Sequence, residues 1–186
     1  MILLVGLGNP TLDSQNNRHN IGFKIIDAIN KNFGLSKQKP KFKGLLTTGN
    51  ISNKKVYAIK PLTFMNSSGI CIRELIEYFK IDVEDVIVFH DDIDIDFGNI
   101  KAKFGGSSAG HNGITSIDKF IGKDYSRVRI GIGKPDSKTS ASEYVLNNFN
   151  EEEEKHLEKI TKNIIDSISI LIDKKLDLFS STVNNK

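Results

Sequence analysis

Residues 2–10 read ILLVGLGNP, and this stretch decides how the chain folds. Its apolar residues, ended by glycine, predict a short strand that is buried on both faces, as the strands of a parallel sheet are. A polar loop follows, and then apolar residues at helical spacing: Ile21, Ile25, Ile26 and Ile29. A buried strand that leads through a loop into a helix is the repeating unit of an α/β fold.

The same alternation of strand and helix continues along the chain. Further strands are predicted at residues 45–51, 56–59, 86–89 and 128–132. Helices are predicted around 72–79, from near 113, and from about 151 to 174. Because Ser52-Asn53-Lys54 separates two of the strands closely, residues 45–59 are typical of a hairpin. The expected fold class is therefore α/β, with residues 1–186 forming a single domain around a mixed, mostly parallel twisted sheet flanked by helices.

The composition is typical of a globular cytoplasmic protein. Hydrophobic residues make up 38% of the 186 residues, which is enough for one core. The single cysteine, Cys71, has no partner for an internal disulfide, and no apolar run is long enough to cross a bilayer. The apolar start of the chain lacks the basic residues and the cleavage site of a secretion signal. We therefore expect a cytoplasmic protein that makes no membrane contact.

The net charge of +3 is only mildly basic, but the charges are unevenly distributed. Basic residues gather at 37–43, 101–103 and 127–138, whereas acidic residues gather at 91–96 and 151–154. Two interpretations remain open: a basic face that binds phosphates, or a solvated surface without a ligand.

Polar segments follow several of the predicted strands, where sites of α/β proteins collect. The first begins with GLGNP and leads to Arg18-His19-Asn20 at the start of a helix. A dinucleotide-binding fingerprint would need glycine where Thr11 stands, and Pro10 followed by a loop also argues against it. His19 is either a catalytic base or a structural histidine.

The next two segments are KPLTFMNSSG at 60–69 and HDDIDID at 90–96. In the first, Asn66 or Ser67 is expected to cap a helix, and the adjoining apolar residues suggest a binding lip. In the second, Asp91 directly follows a buried strand, a suitable place for a carboxylate that orients a histidine. A calcium loop would need glycine at Phe97 and glutamate at Lys103, and magnesium has only weak support.

The fourth segment, GGSSAGHNG at 105–113, is rich in backbone amides that suit an anion. It also contains a formal G-x-S-x-G match centred on Ser108. A serine nucleophile would need His111 or His156 as its base, and the sharp turn from strand to helix is missing. The serine hydrolase remains an alternative.

Six stretches in order resemble bacterial peptidyl-tRNA hydrolases over nearly the whole chain. They are GLGNP with RHNIGF, KPLTFMNSSG, VFHDDIDI, GSSAGHNGI, RVRIGIGKP and YVLNNF. The chain departs from the family at Thr11, where glycine is usual, at Ser14, where tyrosine is usual, and at Ala109. The change at Ser14 affects one expected contact with the tRNA end and leaves the expected chemistry intact.

The resemblance implies hydrolysis of the ester between peptide and tRNA, with His19 as the base that activates water and Asp91 as its partner. It implies peptidyl-tRNA as the partner molecule, a monomer, and neither metal nor cofactor. Asn9 is expected to select a peptide-like amine over a free one. The expected substrate-binding residues are Asn9, Ser14, Phe64, Met65, Asn66, His111 and Asn112, and the expected phosphate contacts are Lys103, Arg129, Lys134 and Lys138. A third hypothesis is an RNA-binding module without turnover.

Overall fold

A seven-stranded mixed sheet forms the centre of the molecule in the computed structural model, which describes residues 1–186. The strands are β1 (Ile2–Gly6), β2 (Lys39–Lys41), β3 (Gly44–Ile51), β4 (Lys54–Pro61), β5 (Val86–Asp92), β6 (Ile100–Phe104) and β7 (Ser126–Gly131). Their order in the sheet is β2-β3-β4-β1-β5-β7-β6. β3 and β6 run opposite to the other strands, so the predicted mixed, mostly parallel sheet is confirmed.

Helices cover both faces of this sheet. They are α1 (Ile21–Asn32), α2 (Ser68–Phe79), α3 (Asn112–Ile121), α4 (Ala141–Val145), α5 (Glu151–Asp166), α6 (Ile168–Ile172) and α7 (Leu176–Asn184). The buried side chains of α1, α5, α6 and α7 form a core on one face, and those of α2 and α3 form a core on the other. None of these helices has the length and apolar character needed to span a bilayer.

The opening strand β1 lies in the middle of the sheet and contributes to both cores. Leu4 faces α1, whereas Leu3 and Val5 face α2, and all three are fully buried. Parallel pairing with β4 on one side and β5 on the other leaves no exposed face. This double burial explains why the strand is uniformly apolar.

The predicted hairpin is formed by β3 and β4. Ile51 pairs with Lys54, and the two residues between them, Ser52 and Asn53, have φ values of 50° and 62°. A two-residue turn with both residues in the left-handed region matches the right-handed twist of the flanking strands.

Two predictions about helix ends were wrong. The helix expected from 151 to 174 is interrupted at Ser167, which lies at φ −111° between α5 and α6. Serine competes for backbone hydrogen bonds inside helices, and the interruption buries Ile168, Leu171 and Ile172 in the core. Neither Asn66 nor Ser67 caps α2.

The amide at the start of α2 is instead satisfied by the neighbouring helix. The backbone N–H of Gly69 donates to Ser116 Oγ of α3 at 3.0 Å. The two helices approach so closely here that a Cβ atom at position 69 would lie 2.3 Å from the Ser116 carbonyl oxygen. A contact with another helix thus replaces the local cap, so the residues near position 67 gave no indication of how the start of α2 is satisfied.

The outer strand β6 is completed by side chains of α7. The amide N–H of Ile100 donates to Asn184 Oδ1 at 2.9 Å, and Asn184 Nδ2 donates to the Ile100 carbonyl at 2.8 Å. Ser180 Oγ accepts from the N–H of Ala102 at 2.8 Å. These side chains occupy hydrogen-bonding positions that a further strand would otherwise take.

Candidate active site

The carboxyl ends of β1, β4 and β5 bring three of the predicted polar segments to one edge of the sheet. The fourth segment, the loop between β6 and α3, reaches the same place through His111. A cavity of about 190 Å³ lies at this edge, with His19, Asp91, His111 and Asn112 among its lining residues. The position agrees with the general rule for sites of parallel α/β sheets.

His19 and Asp91 are in direct contact. His19 lies in a 3₁₀ turn, Arg18–Asn20, directly before α1, and Asp91 lies near the end of β5. His19 Nδ1 is 2.9 Å from Asp91 Oδ2 and 3.0 Å from Oδ1, and both residues are buried. An ionised carboxylate can only accept, so Nδ1 carries the proton and donates, which leaves Nε2 of His19 with a lone pair.

A second histidine binds the same carboxylate. His111 Nε2 lies 2.8 Å from Asp91 Oδ1. On the other side of the ring, His111 Nδ1 accepts from the amides of Gly113 at 3.1 Å and Ile114 at 3.3 Å, and thereby caps α3. Because Nδ1 is an acceptor, Nε2 must be the protonated nitrogen that donates to Asp91.

The charge of Asp91 is stabilised by these neighbours. Burial raises the pKa of its carboxyl, but the attraction and hydrogen bonds of His111 and His19 outweigh burial and hold the pKa well below its usual range. Asp91 is therefore an ionised carboxylate at neutral pH, held between two imidazoles.

The cluster of His19, Asp91 and His111 resembles a metal site in composition, with ligand atoms within 4.8 Å of one another. A neutral histidine that binds a metal through Nε2 must carry its proton on Nδ1. In His111 that position accepts two backbone N–H groups, so the required tautomer would oppose both hydrogen bonds. The arrangement thus suits an imidazole–carboxylate–imidazole hydrogen-bond chain rather than a metal ion.

His90, next to Asp91 on β5, is not available as a base. Its Nδ1 donates to the Asp91 carbonyl at 2.8 Å, and its Nε2 is buried without a hydrogen-bond partner. Burial lowers its pKa to about 3, with a further contribution from neighbouring His111, so the ring is neutral at physiological pH.

Asn9, just beyond β1, lines a separate pocket and is held rigidly by Asn20 and Met65. Its backbone N–H donates to Asn20 Oδ1, and its carbonyl accepts from Asn20 Nδ2, both at 2.9 Å. Its side-chain Oδ1 accepts from the Met65 N–H at 2.9 Å. The Nδ2 group of Asn9 makes no hydrogen bond within the protein and remains a free donor.

Comparison with known proteins shows the family of this chain. The model of the peptidyl-tRNA hydrolase family matches residues 3–186. The chain belongs to the peptidyl-tRNA hydrolase family. This membership confirms the resemblance drawn from the six sequence stretches and the expected enzyme class, a hydrolase.

Individual members of the family align over nearly their whole length. The chain is 80% identical over 186 residues to the peptidyl-tRNA hydrolase of Pelagibacter ubique, covering 100% of both sequences. It is 44% identical to that of Bartonella henselae over 184 residues, covering 99% of the chain and 95% of the relative. The crystal structure of the Acinetobacter baumannii peptidyl-tRNA hydrolase matches with a TM-score of 0.92 at 32% identity, covering 99% of this chain and 94% of that one.

The other residues expected from the family resemblance lie in differing surroundings. Asn112 and Asn66 are exposed, and Asn112 lines the cavity. Phe64 is 62% exposed, whereas Met65 is buried in the core and presents only its backbone amide to Asn9. Ser14 is buried, and its hydroxyl is hydrogen-bonded to the hydroxyl of Thr11 at 2.7 Å.

The four predicted phosphate contacts fall into two groups. Lys103, Lys134 and Lys138 are exposed and form no ion pair. Arg129 Nε instead donates to Asp92 Oδ2 at 2.8 Å, so its charge is partly neutralised within the protein. The peptidyl-tRNA hydrolase fold therefore presents three free lysines near the carboxyl edge of β7 and along β6.

No hydrogen bond joins the Ser108 hydroxyl to a histidine. Ser108 lies in the loop before α3, and the strand-to-helix turn of a nucleophile elbow is absent. Both ring nitrogens of His111 are hydrogen-bonded elsewhere, and His156 lies on α5, packed edge-on against Phe97. The geometry argues against the serine hydrolase alternative.

Three parts of the site were not predicted. α4 forms one wall of the cavity through Ala141, Ser142 and Val145. Arg127 fixes the loop before His111 by donating to the carbonyls of Gly105 and Ser107. His111 was expected at the site as a substrate-binding residue, but its role as the cap of α3 was not predicted, because the usual capping residues are serine, threonine, aspartate and asparagine.

Proposed function

We propose that this member of the peptidyl-tRNA hydrolase family cleaves the ester between the peptide and the terminal ribose of peptidyl-tRNA, with His19 as general base. The observation that supports it most is the buried contact of His19 Nδ1 with Asp91, which leaves His19 Nε2 free as an acceptor at the cavity. The family to which the chain belongs supplies the substrate.

In the proposed reaction, His19 Nε2 removes a proton from water while the water oxygen attacks the ester carbonyl carbon. The bond between that carbon and the ribose oxygen then breaks, and the proton passes from His19 to the departing ribose oxygen. The products are a tRNA with a free hydroxyl and a peptide with a carboxylic acid, which releases its proton to solvent, so atoms and protons balance.

Asp91 has two tasks in this scheme. Its hydrogen bond holds the imidazole of His19 in the tautomer with a free Nε2, and its charge stabilises the imidazolium that forms during attack. His111 contributes by donating a second hydrogen bond that fixes the carboxylate. We therefore assign His111 to the support of Asp91 rather than to direct substrate binding.

Neutral amides suit the acyl half of the substrate. Asn9 Nδ2 is a free donor on a braced residue, and we assign it to a carbonyl oxygen of the bound peptide, which a free aminoacyl group lacks at that position. Asn112 and Asn66 are assigned to the same half, Asn112 because it lines the cavity beside His19. Phe64 offers an exposed apolar ring for peptide side chains.

The tRNA half carries phosphates, and we assign Lys103, Lys134 and Lys138 to them because these ammonium groups have no carboxylate partner. Arg129 would have to exchange its contact with Asp92 for a phosphate. Residues 1–186 are proposed to act as a single domain and a monomer, in the cytoplasm where translation supplies the substrate.

The decisive measurement is hydrolysis of a model peptidyl-tRNA beside free aminoacyl-tRNA. Wild type and Ser108→Ala are expected to cleave the peptidyl ester and spare the aminoacyl ester, whereas His19→Ala is expected to lose turnover by about 10²-fold or more. Wild-type protein that leaves peptidyl-tRNA intact would reject the proposal. Full activity of His19→Ala would reject the assigned base, and loss of activity in Ser108→Ala would favour the serine mechanism.

A further inference from the structure

Arg18 precedes His19 in the same 3₁₀ turn, and its side chain packs against the segment that follows β7. The guanidinium carbon lies 4.2 Å from the centre of the Tyr144 ring and 5.7 Å from that of Phe149. Nη2 donates to the Glu153 carboxylate at 3.2 Å, and Nη1 donates to the Tyr144 carbonyl at 3.4 Å. The charged group is thus enclosed by α4 and the first turn of α5.

Backbone hydrogen bonds join the same two segments. The N–H of Arg18 donates to the Asn147 carbonyl at 3.0 Å, and the N–H of Phe149 donates to the Asn16 carbonyl at 3.2 Å. Between them, Asn17 and Asn148 form an antiparallel bridge. The turn that carries His19 is therefore connected directly to the chain that leaves α4.

α4 depends on these contacts for its position. It has only five residues, and a helix of that length has little stability of its own. The only side-chain hydrogen bond from α4 to the body of the sheet is from Tyr144 Oη to the Ile132 carbonyl, at 2.6 Å. Yet Ala141, Ser142 and Val145 of this helix form one wall of the cavity that holds His19 and Asp91.

A buried arginine is a costly means of packing two segments together. Only 11% of the Arg18 side chain is exposed, and its Nε has no hydrogen-bond partner. Apolar residues of similar volume often stabilise such a contact equally well or better. A guanidinium held between an aromatic ring and a carboxylate supplies a defined orientation instead.

We propose that Arg18 is a positioning residue that sets the α4 wall at a fixed distance from His19, so that the wall contacts the substrate bound there. The inference rests on the proposed function, because it assigns the wall to substrate contact. Loss of the Arg18 side chain should weaken substrate binding. The His19–Asp91 pair, to which this side chain makes no hydrogen bond, should continue to perform the chemistry.

The test uses Arg18→Lys, Tyr144→Leu and a matched control, Lys24→Met. Lysine keeps the charge beside Glu153 but not the planar stacking. Tyr144→Leu removes the ring together with the Oη hydrogen bond to the Ile132 carbonyl, and thus releases α4 by a second route. Lys24 pairs with Glu154 in the same first turn of α5 at 2.6 Å and lies 5.5 Å from the Phe149 ring, but it makes no hydrogen bond to α4. The control therefore removes a comparable ion pair without disturbing the wall.

Steady-state kinetics on a model peptidyl-tRNA provide the readout, with urea unfolding of each variant measured in parallel. Arg18→Lys and Tyr144→Leu are expected to raise KM about tenfold and to change kcat less than about threefold. Lys24→Met is expected to lose stability with an unchanged KM. An unchanged KM in Arg18→Lys, an equal rise in Lys24→Met, or a fall in kcat alone would each overturn the inference. Absence of turnover in wild type would overturn the proposed function and, with it, this role of Arg18.

Discussion

His111 donates from Nε2 to Asp91 Oδ1 over 2.8 Å, and the geometry of its other nitrogen makes this direction obligatory. Nδ1 accepts the first amides of α3, so the start of a helix determines which tautomer faces the carboxylate. A structural element thereby fixes the protonation pattern of the site.

His111→Asn and His111→Ala should differ in stability but agree in activity. Asparagine is a good helix cap and is too short to reach Asp91, whereas alanine loses both contacts. We expect His111→Ala to be about 1 kcal/mol less stable than His111→Asn by urea unfolding. Both should lower kcat on peptidyl-tRNA to a similar extent. If His111→Asn kept wild-type kcat, the contact with Asp91 would have no catalytic importance.

Asp91→Asn should reduce turnover far more than substrate binding. An amide oxygen at the position of Oδ1 can still accept from both ring N–H groups, but the amide carries no charge to balance the imidazolium. We expect kcat to fall by about 10³-fold and KM to change less than about threefold. A raised KM with a normal kcat would show that the residue acts through binding.

His90→Asn should reduce the sensitivity of the fold to mild acid. In the unfolded chain a histidine takes up its proton near pH 6.5, whereas burial of His90 lowers its folded pKa to about 3. The unfolded state therefore binds more protons between these values, and the native state loses up to about 1.4 kcal/mol of stability per pH unit as pH falls through this window.

Asparagine can retain the donor to the Asp91 carbonyl but does not titrate. Between pH 7.5 and 5, wild type should therefore lose about 2 kcal/mol more unfolding free energy than His90→Asn. His156→Asn, which removes an exposed histidine, is the control and should follow wild type. Parallel pH profiles for wild type and His90→Asn would contradict the prediction.

Lys103→Ala should weaken tRNA binding and reduce its dependence on salt. Each phosphate contact adds about one unit to the slope of log affinity against log salt concentration. Binding of tRNA to the His19→Ala background, measured from low to moderate salt, should show a slope that is smaller by about one. Lys159→Ala, at another exposed and unpaired lysine, should leave the slope unchanged.

Gly69→Ala should destabilise the fold through the contact between α2 and α3. The added methyl would lie 2.3 Å from the Ser116 carbonyl oxygen, so the helices would have to separate, at a cost of about 3 kcal/mol. Gly34→Ala is the comparison, since nothing lies within 4 Å and only the φ of +58° is unfavourable, at about 1 kcal/mol. Equal losses in urea unfolding would mean that the close approach is easily relieved.

The sequence allowed the central strands to be predicted because they are buried on both faces and uniformly apolar. β6 was missed because the lysines that alternate along IKAKF make this edge strand resemble an exposed segment. β2 was missed because it is only three residues long and contains Pro40. α4 was missed because five residues are too few for a helical pattern, and the helix is held by the contact of its Tyr144 with Arg18.

In the site, too, features with a local sequence pattern could be predicted, and features that depend on distant contacts could not. Proximity of His19 and Asp91 could be expected, since the loop with His19 follows β1 and Asp91 lies near the end of β5, at the edge where both strands end. The hydrogen bond of His111 to Asp91 could not be expected, because a capping histidine has no local pattern and Asp91 lies 20 residues away in sequence. The hydrogen-bond partners of Ser14 and Arg129, Thr11 and Asp92, also could not be predicted from the sequence, because they depend on the folded arrangement of the side chains.

The side chains of Ser180 and Asn184 that complete β6 have a consequence for biosynthesis. The strand is made 84 residues before Asn184, so a ribosome-bound chain that ends earlier displays bare N–H and C=O groups along this border. Such a border is a template for pairing with other nascent chains. Protection against aggregation is therefore acquired only when the segment that includes α7 has emerged from the exit tunnel.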